Sequence, residues 1–303
     1  MDLRLAALAI LPALLLTVLQ ARADTPAKPP GMAELLAAST AEDWRDPDPE
    51  QTLYLDLAAG RVVIELAPQF APNHVANIKT LVRAGYFDGL SILRVQENYV
   101  VQWGDPNAED PKLKRSLGQA AEKLDGEYAL DRSPDLPFAA ARWRSLCGVL
   151  PASAPGFPVA GSGKRIWLAH CYGMVGAGRG DTSDSGNGAE LYVVIGHAPR
   201  HLDRNVTLVG RVLSGMERLT TLERGKAALG FIDKKETMTP IQSIRLAADT
   251  PAKDRSALQV LRTDTPLFEQ LVEARRTRRE DWFLEPTGRI ELCNVPIPVR
   301  QTP

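Results

Sequence analysis

The chain has 303 residues, of which 44% are hydrophobic, and it carries 36 Lys and Arg against 37 Asp and Glu. This composition is typical of a globular protein with enough apolar residues for a sizeable core. The near balance of charge argues against nucleic acid or an anionic membrane surface as the main partner.

The N-terminus has the pattern of a secretory signal peptide. An apolar run from Leu5 to Leu19 is shorter than the roughly 20 residues that span a membrane, and an Ala-x-Ala site follows at Ala21–Ala23. We expect residues 1–23 to be removed and the protein to be secreted into the bacterial periplasm; an uncleaved anchor is the alternative. Residues 24–50 are rich in Ala, Pro and Asp and are predicted to be a tether with a short helix near its middle.

Residues 51–248 are predicted to form the main domain. Apolar residues alternate with polar ones from Leu53 to Leu57 and from Val62 to Leu66, which predicts an antiparallel hairpin. A helix is predicted to begin at Pro72 and to end at Gly85, with His74 on its solvated side.

The stretch from Ser91 to Asp105 is predicted to form two short strands joined by a polar turn. Arg94 and Gln102 lie inside these apolar strands. A buried cation is costly unless it is paired or used, so Arg94 indicates either an internal salt bridge or a functional site.

Residues 107–165 are rich in Pro, Gly and charged residues and are predicted to be a loop on the surface. This loop is either without a function of its own or a flap that selects the substrate. Further strands and one short helix are predicted at Ile166–Ala177, Ala189–Ile195, Val206–Leu213, Met216–Leu222 (helix) and Ile241–Leu246.

The C-terminal residues 249–303 are predicted to contain a helix capped by Thr265 and a last strand at Ile290–Val295. Trp282 and Phe283 are predicted to be buried. The chain has three cysteines, which allow one disulfide and one thiol. Cys147–Cys171 is the expected pair because Cys293 lies in the extension; three buried thiols are the alternative.

Three segments and their order resemble the cyclophilin family of peptidyl-prolyl isomerases: Gly60–Ile78 with Gly85–Gly89, Ser91–Asp105, and Leu202–Met216. The resemblance covers roughly Thr52 to Ala248. It implies a mainly β fold, namely a closed eight-stranded antiparallel barrel with two capping helices, followed by a helix-strand extension. Residues 107–165 would then be an insertion into this barrel.

The resemblance also implies the site. Arg94 stands at the position of the family's catalytic Arg, and Gln102 at that of a Gln that orients it. The residues implied to bind substrate are Tyr99, Val100, Arg179, Glu190, Leu191, Tyr192, His201 and Leu202. Leu191 and Tyr192 replace a Phe-Phe pair whose first member lines the pocket, and Glu190 replaces a Gln. We expect Glu190 to pair with Arg94 and compete with the substrate for it, or else to pair with Arg179.

The implied reaction is rotation of Xaa-Pro bonds in proline-containing polypeptides, which would assist the folding of exported proteins. It breaks no bond, so it needs no cofactor and no metal. A peptide-binding or chaperone module with little turnover is the rival hypothesis, because several pocket residues depart from the family pattern. The sequence gives no oligomeric state.

Overall fold

The structure is a computed structural model that describes residues 29–132, 147–149, 156–233 and 237–302. The predicted signal peptide lies outside these residues. The described strands are β1 (Trp44–Arg45), β2 (Thr52–Leu57), β3 (Gly60–Leu66), β4 (Ser91–Val95), β5 (Val100–Gly104), β6 (Leu130–Asp131), β7 (Cys147–Val149), β8 (Pro158–Ser162), β9 (Arg165–Leu168), β10 (Met174–Ala177), β11 (Leu191–Val194), β12 (Leu208–Ser214), β13 (Ile241–Leu246), β14 (Leu258–Leu261) and β15 (Val299–Gln301). The described helices are α1 (Met32–Ala37), α2 (Pro72–Arg83), α3 (Met216–Thr220) and α4 (Pro266–Thr277). Across the described ranges, no helix is long and apolar enough to cross a bilayer.

Eight antiparallel strands form a nearly closed barrel, in the order β13, β2, β3, β12, β10, β11, β5, β4. The two end strands approach each other, since Ser91 bridges Pro240 and the Ile241 N–H donates to the Leu90 carbonyl at 2.7 Å. Helices α2 and α3 both pack apolar side chains against the barrel core. The predicted fold class, a mainly β eight-stranded barrel with two helices, is confirmed.

Alternation of side chains along the strands fills the barrel, as the sequence predicts. Helix α2 buries its predicted apolar face, but His74 is buried rather than solvated. Its Nδ1 lies 2.6 Å from the carboxylate of Glu127, which also accepts the backbone N–H groups of Asn73 and His74 at 3.0 Å. A carboxylate from the insertion therefore satisfies the first turn of α2, where negative charge is favourable.

The segment predicted as a tether is packed against the C-terminal extension from Met32 onward. Helix α1 contacts α4, and β1 pairs with β14 in a small sheet with β15. This sheet covers the outer face of the barrel at Tyr54, Val63 and Leu213. These outward positions are apolar because the extension buries them.

Arg45 of β1 forms a bidentate ion pair with the buried Glu65 of the barrel, at 2.6 and 3.0 Å. A second cation, the buried Arg211, lies 3.8 Å from the same carboxylate. Burial lowers the pKa of Arg211 to about 10, and Glu65 opposes this shift. One carboxylate thus faces two cations where the small sheet of β1, β14 and β15 meets the barrel.

The insertion carries its own sheet, in the order β6, β9, β8, β7, with a core that includes Phe157 and Trp167. The single strand predicted over Ile166–Ala177 is wrong. A turn after residue 168 divides it into β9 of this sheet and β10 of the barrel.

The disulfide joins Cys171 to Cys293, so the predicted Cys147–Cys171 pair is wrong. Leu292 packs into the core of the insertion sheet, and this contact brings Cys293 beside the turn that follows β9. The extension thereby reaches a part of the fold that lies 122 residues away along the chain.

In the extension, α4 begins as predicted, and the Thr265 hydroxyl accepts the Phe268 N–H at 3.3 Å. Two other predictions there are wrong. The last strand is β15 rather than Ile290–Val295, a segment that contains only a short 3-10 turn. Trp282 is 81% exposed and stacks edge-on against Phe283 instead of entering a core.

Candidate active site

The outward face of three neighbouring barrel strands carries the predicted groove. In β5, Val101 and Trp103 point into the barrel, so Val100 and Gln102 point outward. Gln102 lies opposite Tyr192 of β11 on one side and opposite Arg94 of β4 on the other. The strand register therefore places these three side chains in one row.

A bulge in β4 turns Arg94 outward. In a regular strand Ile92 and Arg94 would face the same side, but the pairing with β5 shifts between them. Ile92 lies opposite Trp103 and is buried in the barrel, whereas Arg94 lies opposite Gln102. Bulges often re-aim a side chain next to a functional site in this way.

Arg94 is held at three of its nitrogen atoms. Nε donates to the Leu229 carbonyl at 2.7 Å, Nη1 to Oε1 of Gln102 at 3.3 Å, and Nη2 to Oε1 of Gln96. The rings of Tyr99 and Phe231 each lie 5.2 Å from its Cζ atom. A guanidinium has five N–H groups, so these contacts leave one on each terminal nitrogen for a ligand.

Arg94 stays a cation although it is partly buried. Burial lowers the pKa of Arg94 below its ordinary value, and electrostatic interactions with Tyr99 and Glu190 oppose that shift. An arginine remains protonated at neutral pH despite a moderate shift of this kind. The half-buried guanidinium can therefore donate hydrogen bonds from a site that bulk water screens only in part.

Glu190 lies behind Gln102 rather than against Arg94. Its Oε1 accepts a hydrogen bond from Nε2 of Gln102. Burial raises the pKa of Glu190, while the bond from Gln102 lowers it. Arg179 donates instead to the carbonyls of Asn205 and Gly180, at 2.8 and 2.7 Å. Neither of the two ion pairs expected for Glu190 is formed, so that prediction is wrong.

An open groove of about 290 Å³ lies along this row of side chains. Val100, Leu202 and Val206 supply apolar surface to it, and Arg94, Gln102 and Arg179 supply polar groups. The residues that line it are Arg94, Tyr99, Val100, Gln102, Gly178, Arg179, Tyr192, Leu202 and Val206. Such a groove can bind a small apolar ring while presenting a cation to it.

Tyr192 is fixed by a buried chain of hydrogen bonds. Its hydroxyl lies 2.8 Å from Nε2 of His170, whose Nδ1 lies 2.9 Å from Oδ1 of Asp203. Burial opposes ionisation of Asp203, yet hydrogen bonds from His170 and Arg200 hold its pKa below the ordinary value. Asp203 follows Leu202 directly, so this chain ties two walls of the groove together.

Residues 52–246 match the family described as cyclophilin type peptidyl-prolyl cis-trans isomerase/CLD. This chain belongs to that family. A "probable peptidyl-prolyl cis-trans isomerase" from Brucella suis biovar 1 is 31% identical over 181 residues, which are 60% of this chain and 76% of the relative. The human "peptidyl-prolyl cis-trans isomerase-like 1" is 24% identical over 219 residues, 72% of this chain and 99% of that protein.

Among solved structures, the cyclophilin AquaCyp293 from Hirschia baltica superposes with a TM-score of 0.64 at 27% identity. The match covers 86% of this chain and 95% of that one. It thus extends beyond residues 52–246, into the parts that flank the family core. The isomerase activity predicted from the resemblance is accordingly the activity of this cyclophilin.

The structure brings most of the predicted site residues to the groove of this cyclophilin, and two of them lie at its margin. His201 is exposed and stacks parallel to the Tyr99 ring at 6.4 Å, and Glu190 supports Gln102 from behind. Leu191 is wrongly assigned: it is 1% exposed and packs inside the barrel opposite Trp103. The second member of the Leu-Tyr pair, Tyr192, faces the groove instead.

Sequence reasoning missed three partners of Arg94, namely Gln96, Leu229 and Phe231. Gln96 directly follows β4, so its nearness could have been read from the hairpin. Leu229 and Phe231 come from a loop about 135 residues further along the chain, and the sequence offers no periodic signal for it.

Proposed function

We propose that this cyclophilin rotates Xaa-Pro bonds in exported polypeptides and that Arg94 is its catalytic residue. The observation that carries the proposal is the half-buried guanidinium of Arg94, which is fixed beside the groove and keeps one N–H on each terminal nitrogen for a ligand. Gln102 is the positioning residue, since its amide oxygen accepts from Arg94.

The chemistry follows from the amide bond. Resonance makes rotation cost roughly 18–20 kcal/mol, and the nitrogen lone pair becomes localised as the bond twists. A cation that donates to this nitrogen binds the twisted form better than the planar form and so lowers the barrier. The groove beside Tyr99 and Tyr192 holds the proline ring while the preceding part of the peptide rotates.

Two features support a role outside the cytoplasm. The apolar run and Ala-x-Ala site at residues 5–23 have the pattern of a signal peptide. Disulfides persist mainly in oxidising compartments, and Cys171–Cys293 joins two distant parts of the fold.

A binding module with little turnover is the second candidate. The observation that favours it is that Arg94 already bonds to three groups of its own chain and lies between two aromatic rings. A cation fixed in this way could still donate a hydrogen bond to a peptide carbonyl and so bind a peptide without rotating its Xaa-Pro bond.

The test uses the full chain expressed in a bacterium, with N-terminal sequencing of the exported product and a proline-limited refolding assay of a secreted substrate protein. We expect a mature protein that begins at Asp24 and accelerates refolding catalytically. A product that begins at Met1 would contradict export, and stoichiometric binding without acceleration would favour the binding module.

A further inference from the structure

The loop of residues 225–232, here called the rim loop, lies along the free edge of β4. The Gly225 N–H donates to the Val95 carbonyl at 3.1 Å, and the Ile232 N–H donates to the Leu93 carbonyl at 2.9 Å. Between them Phe231 forms a bridge with Arg94. The rim loop therefore extends the sheet at the end of the groove where Arg94 lies.

The rim loop also contacts the Arg94 side chain. The Leu229 carbonyl accepts from Nε at 2.7 Å, and the Phe231 ring lies on one side of the guanidinium with Tyr99 also in cation–π range. Close approach of the backbones requires Gly230, where a Cβ would lie 2.6 Å from the Cα atom of Gln96. The rim loop is therefore in direct contact with Arg94 and with the backbone of the β4–β5 hairpin.

Leu229 is unusual both in its backbone conformation and in its exposure to solvent. Its φ is 56° and its ψ is 20°, a left-handed conformation that Gly or Asn adopts at lower cost than Leu. Its side chain is also 65% exposed, and the neighbouring Phe231 is 40% exposed. A residue that is strained and exposed, yet large and apolar, indicates a role in binding rather than in folding.

Among the described residues, two cations next to the rim loop have acidic partners. Arg224 pairs with Glu97 at 2.6 Å, and Lys226 lies 3.5 Å from Glu223. A charged substrate side chain would gain little from Arg224 or Lys226, whose charges are already paired. An apolar side chain would bury exposed surface of Leu229 and Phe231, which is favourable.

We propose that Leu229 and Phe231 form an apolar subsite that selects polypeptides with a large apolar residue directly beside the proline. This inference rests on the proposed role of Arg94. If Arg94 reaches the prolyl nitrogen, the flanking residues have their Cα atoms within about 4 Å of the proline Cα. The carbonyl of Leu229 is itself in contact with Arg94, so one flanking side chain comes within reach of the rim loop.

The experiment measures kcat/KM by NMR exchange on two peptide series, with Leu, Phe, Ser or Gly either before or after the proline. At one of the two flanks we expect the wild-type chain to prefer Leu or Phe over Gly by about five- to tenfold. In Leu229→Asn this ratio should fall towards one, because Asn keeps the left-handed backbone but removes the apolar side chain. The control Leu284→Asn removes a 94% exposed leucine of the extension and should leave the ratio unchanged.

The outcomes separate this inference from the proposed function. An active wild type without apolar preference at either flank, or an unchanged preference in Leu229→Asn, would overturn the subsite while leaving catalysis in place. A wild type inactive on every peptide would overturn the proposed function. In that case the affinities of the same peptides, measured by calorimetry, test whether the apolar subsite exists. Equal affinities for the Leu and Gly peptides would overturn it.

Discussion

Replacing Glu190 by Gln tests whether the carboxylate orients the site. A carboxylate can only accept, so it holds the amide of Gln102 with Nε2 towards Glu190 and Oε1 towards Arg94. A glutamine in place of Glu190 could present either its oxygen or its NH₂ group, and the flipped Gln102 amide would turn its NH₂ group towards the guanidinium. This reverses the expectation from the sequence, where removing the carboxylate would free Arg94.

The magnitude follows from the hydrogen bond that fixes the amide. Bonds to charged groups contribute about 1.5–3 kcal/mol and neutral ones about 0.5–1.5 kcal/mol, so the orientation bias lost is about 1 kcal/mol. A loss of this size changes the ratio of the two amide orientations about fivefold, so kcat/KM should fall by up to about fivefold. The assay is NMR exchange on an uncharged Xaa-Pro peptide at pH 7. Glu109→Gln is the control, since Glu109 acts on the pKa of Glu190 only through its charge.

A pH profile separates orientation from simple loss of charge. Burial raises the pKa of Glu190 above its ordinary 4.5. We expect the wild-type activity to fall as the pH decreases through this raised value, because a protonated carboxyl can donate and no longer fixes Gln102. The acid limb should be absent in Glu190→Gln.

Stability provides an independent check on the same variant. Folding raises the pKa of this carboxyl group. Such a group destabilises the folded protein when the pH is above the pKa that the group has in the unfolded chain. Glu190→Gln should therefore be at least as stable as the wild type at pH 7. Unchanged or higher kcat/KM in Glu190→Gln, with the acid limb retained, would refute the reasoning.

Two further predictions concern contacts that join the N-terminal and C-terminal segments to the rest of the fold. Glu65→Gln leaves Arg45 and Arg211 without their carboxylate and should lower the free energy of unfolding, measured in urea, by about 3–5 kcal/mol. Arg211→Met keeps the Arg45–Glu65 pair and should lower the free energy of unfolding much less. Equal losses in the two variants would contradict this prediction. Non-reducing peptide mapping should recover Cys171 linked to Cys293, and Cys293→Ser should lower the free energy of unfolding by about 2–5 kcal/mol. A full set of free thiols in exported protein would contradict the assigned pair.

The sequence predicts individual strands and helices well because its strands alternate and its helices are amphipathic, whereas their closure into a barrel was implied by the resemblance to the family. The predicted strand Ile241–Leu246 matches β13 residue for residue, and Pro72 begins α2 as expected. These elements are determined by local period and by turn or cap residues. Arg94 and Gln102 are conspicuous as polar residues inside apolar strands, but their roles were implied by the resemblance to the family.

Predictions failed where distant parts of the chain decide the outcome. Leu191 and Tyr192 are both apolar enough to face either side, and only the register with β5 settles which one faces the groove. His74 is buried because Glu127 returns from the insertion to cap its helix. Cys293 pairs with Cys171 because Leu292 packs on the insertion sheet. None of these contacts leaves a local pattern in the sequence.

The most direct test of Arg94 as the catalytic residue is NMR exchange on a proline peptide with the wild type, Arg94→Ala and Arg94→Lys. Removing one preorganised donor to a developing charge typically lowers the rate by about 10²–10³, and we expect that loss in Arg94→Ala. Arg94→Lys should also lose most activity, because one ammonium cannot bond the Leu229 carbonyl, Gln96 and Gln102 and still donate to the substrate. A folded Arg94→Ala protein with wild-type exchange rates would contradict the account.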